Sequence, residues 1–520
     1  MSHINRRQIL ASSVALSVFA ALPRVALAGG HSDTLRVAIA GETGDLDLLQ
    51  NVSTLSSYTV VFDGLIHYGP GGSLEPGLAT AWRVADDGLS ITFDLREGVM
   101  FSDGEPFNAE AAKWNLERWM GAEDFSWIGI SDAYDSIVIN SATQITVNLS
   151  RPVPAALLEL TIVRPVRFLS PKAVSADGAQ VAPIGTGPWV VESHSSSETN
   201  LVRNDDYWGD KPSFSRIELK VVPDELARAN ALRAGELDVI GGDWIAPLSP
   251  RRAKALEREG MTIVAEPGTA TTILGFSPQS AIMQDKGVRE AIFLGIDRAA
   301  VSTVLFEGYA DPTVDIFPMT VPTAGVRRDV PVRDIAAAQG ALEAAGWTNS
   351  GSGWTKDGAA LEIDFLVSEE TFPGSRRIAE MIQAMLTEVG FEVKISSVDN
   401  ATMHDRRPAF DYDLTFFGTY GAPYDPHGSL SNSFSSVIDT GPDGKIYVSD
   451  ELDEVVLGAL EASGEAQETA MQGVYDWVYD NVAACPLVVN QRLWAVHPRV
   501  QGFSLPATDY DIPYKGLSLT

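Results

Sequence analysis

The sequence predicts an α/β protein of two lobes joined by two hinge strands, and three observations predict it. Strand-like and helix-like patterns alternate along most of the chain. An apolar strand around Thr271–Phe276 interrupts the alternation once, and a fresh run of strand–helix units follows it. A second apolar run, at Leu487–Asn490, comes after those units. Two strands, near 271–277 and 486–493, would therefore cross between the lobes, making the middle segment an inserted lobe. The expected boundaries are an export signal over 1–28, lobe I over 29–270 with an extra subdomain at about 75–180, lobe II over 271–485, and a return to lobe I over 486–520.

The elements are read in order. Thr34–Ala40 alternates as a strand, Gly41–Gln50 is a loop, and Tyr58–Tyr68 has helical spacing with Val61, Leu65 and Tyr68 on one face. Ser90–Leu95 alternates as a strand, and Phe101–Phe107 is a hairpin turn before a helix from about Ala109 to Met120. Ile137–Ile139 and Gln144–Leu149 read as paired strands, and Val153–Leu160 as a short helix. A loop at Ile184–Trp189 leads into the strand Val190–Glu192, and Asn204–Gly209 is a turn. The strand Ile217–Val222, the helix Glu225–Ala234 and the strand Leu237–Ile240 follow. The second run holds helices at Val288–Ile296, Ile335–Ala345, Arg376–Val389 and Gln467–Asn481, with strands at Leu361–Val367, Glu392–Ser396 and Asp413–Phe417. Ser435–Val448, rich in Gly, Ser and Asp, reads as a flexible excursion.

Composition narrows the function. The chain has 520 residues, 45% of them hydrophobic, which is enough for several cores. Lys and Arg total 38 against 69 Asp and Glu, a formal charge of −31. Such a chain repels nucleic acid and anionic lipid. Arg6 and Arg7, the apolar run Ile9–Leu22 and Ala26-Leu27-Ala28 form an export signal with cleavage expected after Ala28. The paired arginines point to the twin-arginine route, while Asn5 in place of Ser or Thr leaves Sec export open. No later apolar run reaches 18 residues, so the mature chain is expected in the periplasm. The one cysteine, Cys485, reads as a buried thiol at a strand entry.

Catalytic and metal signatures are not written here. HExxH, CxxC, GxSxG and Walker A patterns do not occur, so no catalytic residue, metal ligand or cofactor is assigned. GTGP at 185–188 lacks the lysine and following helix of a phosphate cradle. His404 and His427 flank one predicted strand, and joint metal ligation stands beside a reading as solvated or hydrogen-bonded side chains. Arg164 and Arg167 interrupt an apolar run, which calls for a buried carboxylate or an anionic ligand group. Trp127 is either core or cleft wall. The loop FFGTYGAPYDPHGSL, Phe416–Leu430, exposes Tyr420 and Tyr424 at a strand end, where scaffolds hold ligands, or else packs them over an ordinary turn.

Several ordered motifs then carry a resemblance. Leu74–Trp82, the run Thr92–Lys113, Gly185–Trp189 and Asn204–Gly209 with Lys211-Pro212 resemble the family 5 extracytoplasmic solute-binding proteins of ABC importers, which bind dipeptides, oligopeptides and nickel. The likeness spans about Leu35 to Tyr514. It implies a bilobal type II periplasmic binding fold that closes on a small ligand and docks, as a monomer, on an inner-membrane permease with cytoplasmic ATPases.

Gly421–His427 and Arg164–Phe168 look most like the nickel-binding branch. Peptide binders of the family commonly place an aspartate four residues before the loop proline, and here that place is Ala422, which disfavours a free-amine peptide. In the nickel-type pattern Arg164 matches a carboxylate-gripping arginine, Trp127 and Tyr420 match aromatic walls (a tryptophan at the second), and Tyr424 matches a tyrosine. A second arginine of that pattern falls near Asp124 and a metal-touching histidine near Ile438, departures that tell against nickel itself. The resemblance thus implies a receptor for a carboxylate-bearing peptide or metal chelate, with Arg164, Trp127, Tyr420, Tyr424 and Asp124 at the ligand. The alternative reading is a secreted hydrolase with a carboxylate pair in the interlobe cleft.

Overall fold

The computed structural model describes residues 33–50, 55–325, 327–351, 353–438 and 444–520. The expected export signal and its cleavage site lie outside these residues, as do 439–443 of the expected excursion.

One sheet runs through both halves of the described chain. Its strands stand in the order Glu392–Ser397, Glu362–Val367, Leu414–Gly418, Thr262–Phe276, Cys485–Val496, Val239–Gly241, Thr34–Ile39, Arg216–Val221, Glu198–Arg203 and Trp189–His194. Thr34–Ile39 is parallel to both of its neighbours, and Glu362–Val367 is parallel to both of its own. Parallel neighbours need crossover connections, which the helices between them supply.

The two longest strands, Thr262–Phe276 and Cys485–Val496, join these parallel groups and run antiparallel to each other. On the first-half side Ile263 faces Ala495 and Val239 faces Val496. On the second-half side Thr271 faces Val489 and Ile273 faces Phe417. The register shifts between Pro267 and Thr271. At Gly268 the backbones approach so closely that a Cβ would lie 2.1 Å from the Asn490 carbonyl oxygen. Both strands are longer than their apolar stretches, because Thr262, Glu266, Gln491 and Arg492 lie on the ladder and break the hydrophobic run.

Packing follows the alternation of side chains along strands. Leu274, Phe365 and Phe416 belong to one hydrophobic cluster, whereas Ile273, Leu366 and Phe417, each next to one of them in the chain, belong to another. Strands covered on both faces read as continuous apolar runs for this reason. The first half has a core around Leu35, Val37, Phe62 and Trp189. A separate core extends from Leu65 to Phe168, over a four-stranded antiparallel sheet that includes Ser90–Leu95 and Gln144–Leu149. Helix ends follow local chemistry: Asn108 accepts from the Glu110 and Ala111 N–H groups at the start of Ala109–Glu117. Gly390, at φ 110°, ends Ser375–Val389 in the left-handed conformation.

The expected helix over Tyr58–Tyr68 is corrected. Helix occupies only Tyr58–Val61, Phe62 is extended, and Ile66–Tyr68 is a strand paired with Leu74–Pro76. Asp63 supplies the reason, since its buried carboxylate accepts from Thr186 Oγ1 at 3.0 Å and Trp208 Nε1 at 2.9 Å. Tertiary partners override the local pattern. The same contact explains the GTGP stretch, where Cβ atoms at Gly185 and Gly187 would meet Val61 backbone atoms at 2.1 and 2.6 Å. These glycines allow two backbones to touch.

Candidate ligand-binding site

Arg164 lies in the irregular segment that follows the short helix Ala156–Glu159. It is half-buried, and its Nη1 donates to the Leu49 carbonyl at 3.3 Å. Its guanidinium carbon is 5.9 Å from the centre of the Phe125 ring. Among the described residues no carboxylate lies within salt-bridge distance of it. Burial lowers its pKa from the ordinary value, while Tyr424 and Tyr58 act in the opposite direction. A desolvated guanidinium with one carbonyl partner keeps donors for an incoming carboxylate. Phe125 closes the turn Glu123–Phe125, so Asp124 and Trp127 lie on the stretch that meets Arg164. Trp127 is 45% exposed. No hydrogen bond, ion pair or ring contact ties Trp127 or Asp124 to Arg164 or Tyr424 among the described residues.

The rings of Tyr420 and Tyr424 lie close together, their centres 6.4 Å apart. Asp425 holds their loop, accepting from the Gly421 N–H at 2.6 Å and the Ser429 N–H at 3.2 Å. Its carboxyl is pushed up to about 7 by burial, against those hydrogen bonds. Ala422 is buried, and its N–H donates to Thr269 Oγ1 at 3.0 Å. Thr269 in turn donates to Asp509 at 2.7 Å. A chain of hydrogen bonds thus links the tyrosine loop, the register shift in the crossing strands and the C-terminal stretch. The Tyr424 phenol is pushed up to about 12 by burial, opposed by a backbone hydrogen bond from Val163 and by Arg164 and Arg167.

The loop is shorter than its composition suggests, because His427 begins the helix His427–Ser433. His427 pairs through Nε2 with Gln467 Nε2 at 3.1 Å, and burial pushes its imidazole down to about 4. His404 is exposed on the helix Asn400–Arg406. Among the described residues no three metal-ligating side chains gather. Cys485 is buried and accepts from Arg298 Nη2 at 3.3 Å.

Sequence reasoning missed part of this wall. Trp244, 49% exposed, stacks on Tyr510 at 5.3 Å, and Tyr510 meets Tyr424 edge-on at 5.2 Å. Beside Trp244, Asp243 keeps contact with solvent, yet surrounding protein and then Asp509 push its carboxyl up to about 7 against Arg492. Gly241-Gly242-Asp243-Trp244, at the end of a strand, carries the same strand-exit signal as the tyrosine loop. Tyr510 lies in an irregular stretch with no periodicity to mark it.

The model for bacterial extracellular solute-binding proteins, family 5 middle, matches residues 73–441. The chain belongs to this family. It is similar to the nickel-binding periplasmic protein of Escherichia coli K12, 29% identical over 395 residues, with 74% of each chain covered. Among solved structures it is similar to an ABC transporter substrate-binding protein from Sinorhizobium meliloti, 46% identical with a TM-score of 0.84, over 94% of this chain and all of the other. It is also similar to NikA from Brucella suis in complex with Fe(III)-EDTA, 29% identical with a TM-score of 0.87 over the same shares. The bilobal type II periplasmic binding fold and the likeness to the nickel-binding branch, both expected from the motifs, therefore hold. Among the described residues no helix is long and apolar enough to cross a membrane.

Proposed function

We propose that this protein is the periplasmic receptor of an ABC importer and captures a small carboxylate-bearing ligand, a metal chelate or a modified short peptide, by closing its lobes over it. The observation that carries this reading is Arg164, a half-buried guanidinium beside an aromatic wall with no carboxylate in reach among the described residues. Arg164 pairs the carboxylate, Tyr420, Tyr424 and Trp127 cover the ligand body, and Asp124 faces the cationic part of a ligand that has one. The lobes, 29–270 with 486–520 and 271–485, move about the register shift near Gly268. The Fe(III)-EDTA held by the similar Brucella suis protein, a metal wrapped in carboxylates, fits this chemistry. The protein acts as a monomer after export, delivers its ligand to a permease and catalyses no reaction.

Native mass spectrometry of protein purified without refolding tests the reading. The expected result is one bound small molecule that carries a carboxylate, released intact. Turnover of a bound ester or glycoside would favour a hydrolase in the cleft instead, and a retained ligand with no anionic group would refute the role of Arg164.

A further inference from the structure

Three residues beyond Arg164, Arg167 lines a second space. It is 7% exposed and faces a cavity of about 340 Å³ between the first-half core, the strand Ile66–Tyr68 and the C-terminal stretch 504–515. Its Nε donates to the Val163 carbonyl at 3.4 Å. Neither Nη nitrogen donates to a protein group, and no carboxylate lies within salt-bridge distance, among the described residues. Asp63 and Asp511 act on it only from farther away. They have other partners: Asp63 accepts from Thr186, Trp208 and Tyr207 Oη and lies 3.8 Å from His67 Nε2, and Asp511 accepts from Thr508 Oγ1 at 2.6 Å. A guanidinium buried to this degree without a counter-ion is costly, and the cost falls once an anion enters.

The surroundings point to the sign and size of that anion. Lys515 lines the same cavity from an exposed position, and Arg96 lies over the Trp208 ring at 4.3 Å. After burial, the three cations Arg167, Lys515 and Arg96 are what push the His67 imidazole down to about 3, which marks a positive field. Asp63, Asp511 and Glu75 also line the cavity and weigh against a multiply charged anion. The volume suits a small organic molecule.

We infer that this cavity binds a monocarboxylate, gripped by the free face of the Arg167 guanidinium with Lys515 at the rim. Two sources share that chemistry. Val163 and Pro423 line the cavity and adjoin Arg164 and Tyr424, so the group belongs either to the imported ligand or to a separate small acid.

Calorimetric titration with benzoate, with inorganic phosphate as the counter-probe, tests this on protein dialysed free of retained ligand. Benzoate should bind the wild type and phosphate should bind more weakly. Arg167→Gln should weaken benzoate by at least about tenfold, and Lys515→Gln, at an exposed site that does not endanger folding, by about threefold. Benzoate affinity unchanged in both variants, or no benzoate binding by the wild type, overturns the inference. Competition with the co-purified ligand separates the sources: displacement of benzoate means one ligand spanning both arginines, and simultaneous binding means a separate acid. Failure of the Arg164 site alone leaves benzoate binding intact, so the two assignments fall separately.

Discussion

At the residue scale, the charged side chains divide by whether protein already satisfies them. Asp425 is buried and accepts two backbone N–H groups, so it builds the loop. Arg164 meets one carbonyl, so it remains available. Asp425 also sets a pH dependence. In the folded protein it holds its proton up to about 7, while the unfolded chain loses it near 3.8. Between these values the folded state binds more protons, so this group's contribution to stability falls as pH rises. Asp425→Asn removes that slope, and the stability lead of the wild type over the variant should shrink from pH 4 to 7. Parallel melting-temperature profiles of the two proteins would contradict it. The sequence made Tyr420 and Tyr424 legible because a strand exits there into Gly and Pro. It left Arg164 open between a structural pair and a ligand contact, since pairing depends on neighbours distant in the chain. Asp124 and Trp127 lie on the stretch whose Phe125 meets Arg164, and their part in the site is what the resemblance implies.

At the element scale, most strands and helices were legible from periodicity, and the misreadings have identifiable causes. The Tyr58–Tyr68 pattern is helical in spacing, yet Asp63 draws the chain into extended pairing. The crossing strands were foreshortened because polar residues occupy their first-half portions. The GTGP loop is a backbone contact, so Gly187→Ala should cost about 1–3 kcal/mol through forced displacement of Val61, read in a denaturant melt. A loss below a few tenths would show that the two backbones can part at no cost. Thr269→Val leaves the Ala422 N–H and the Asp509 oxygen without their shared hydroxyl. It should destabilise the tyrosine loop by about 1–3 kcal/mol and weaken ligand binding. Hydrogen exchange at Gly421–Tyr424 checks this, and unchanged protection would mean that the relay carries no load.

At the scale of the whole molecule, one sheet is shared by two halves, and the register between its long strands shifts between Pro267 and Thr271 and again between Thr272 and Ile273. Under the proposed lobe closure, that arrangement would confine a rotation to a few residues while both cores stay intact. Scattering in solution should show a smaller radius of gyration with ligand than without it, and equal values would contradict lobe closure. The aromatic wall draws Tyr424 from one half and Tyr510 and Trp244 from the other, so a ligand touching it stabilises the closed form. The central claim is that Arg164 holds a ligand carboxylate rather than the fold. Calorimetric titration of the co-purified ligand into wild type and Arg164→Ala, with the ligand-free melting temperature of each recorded alongside, tests it most directly. The account predicts affinity at least about 30-fold weaker in the variant, with the ligand-free melting temperature nearly unchanged. Undiminished affinity, or unfolding of the ligand-free variant, would contradict it.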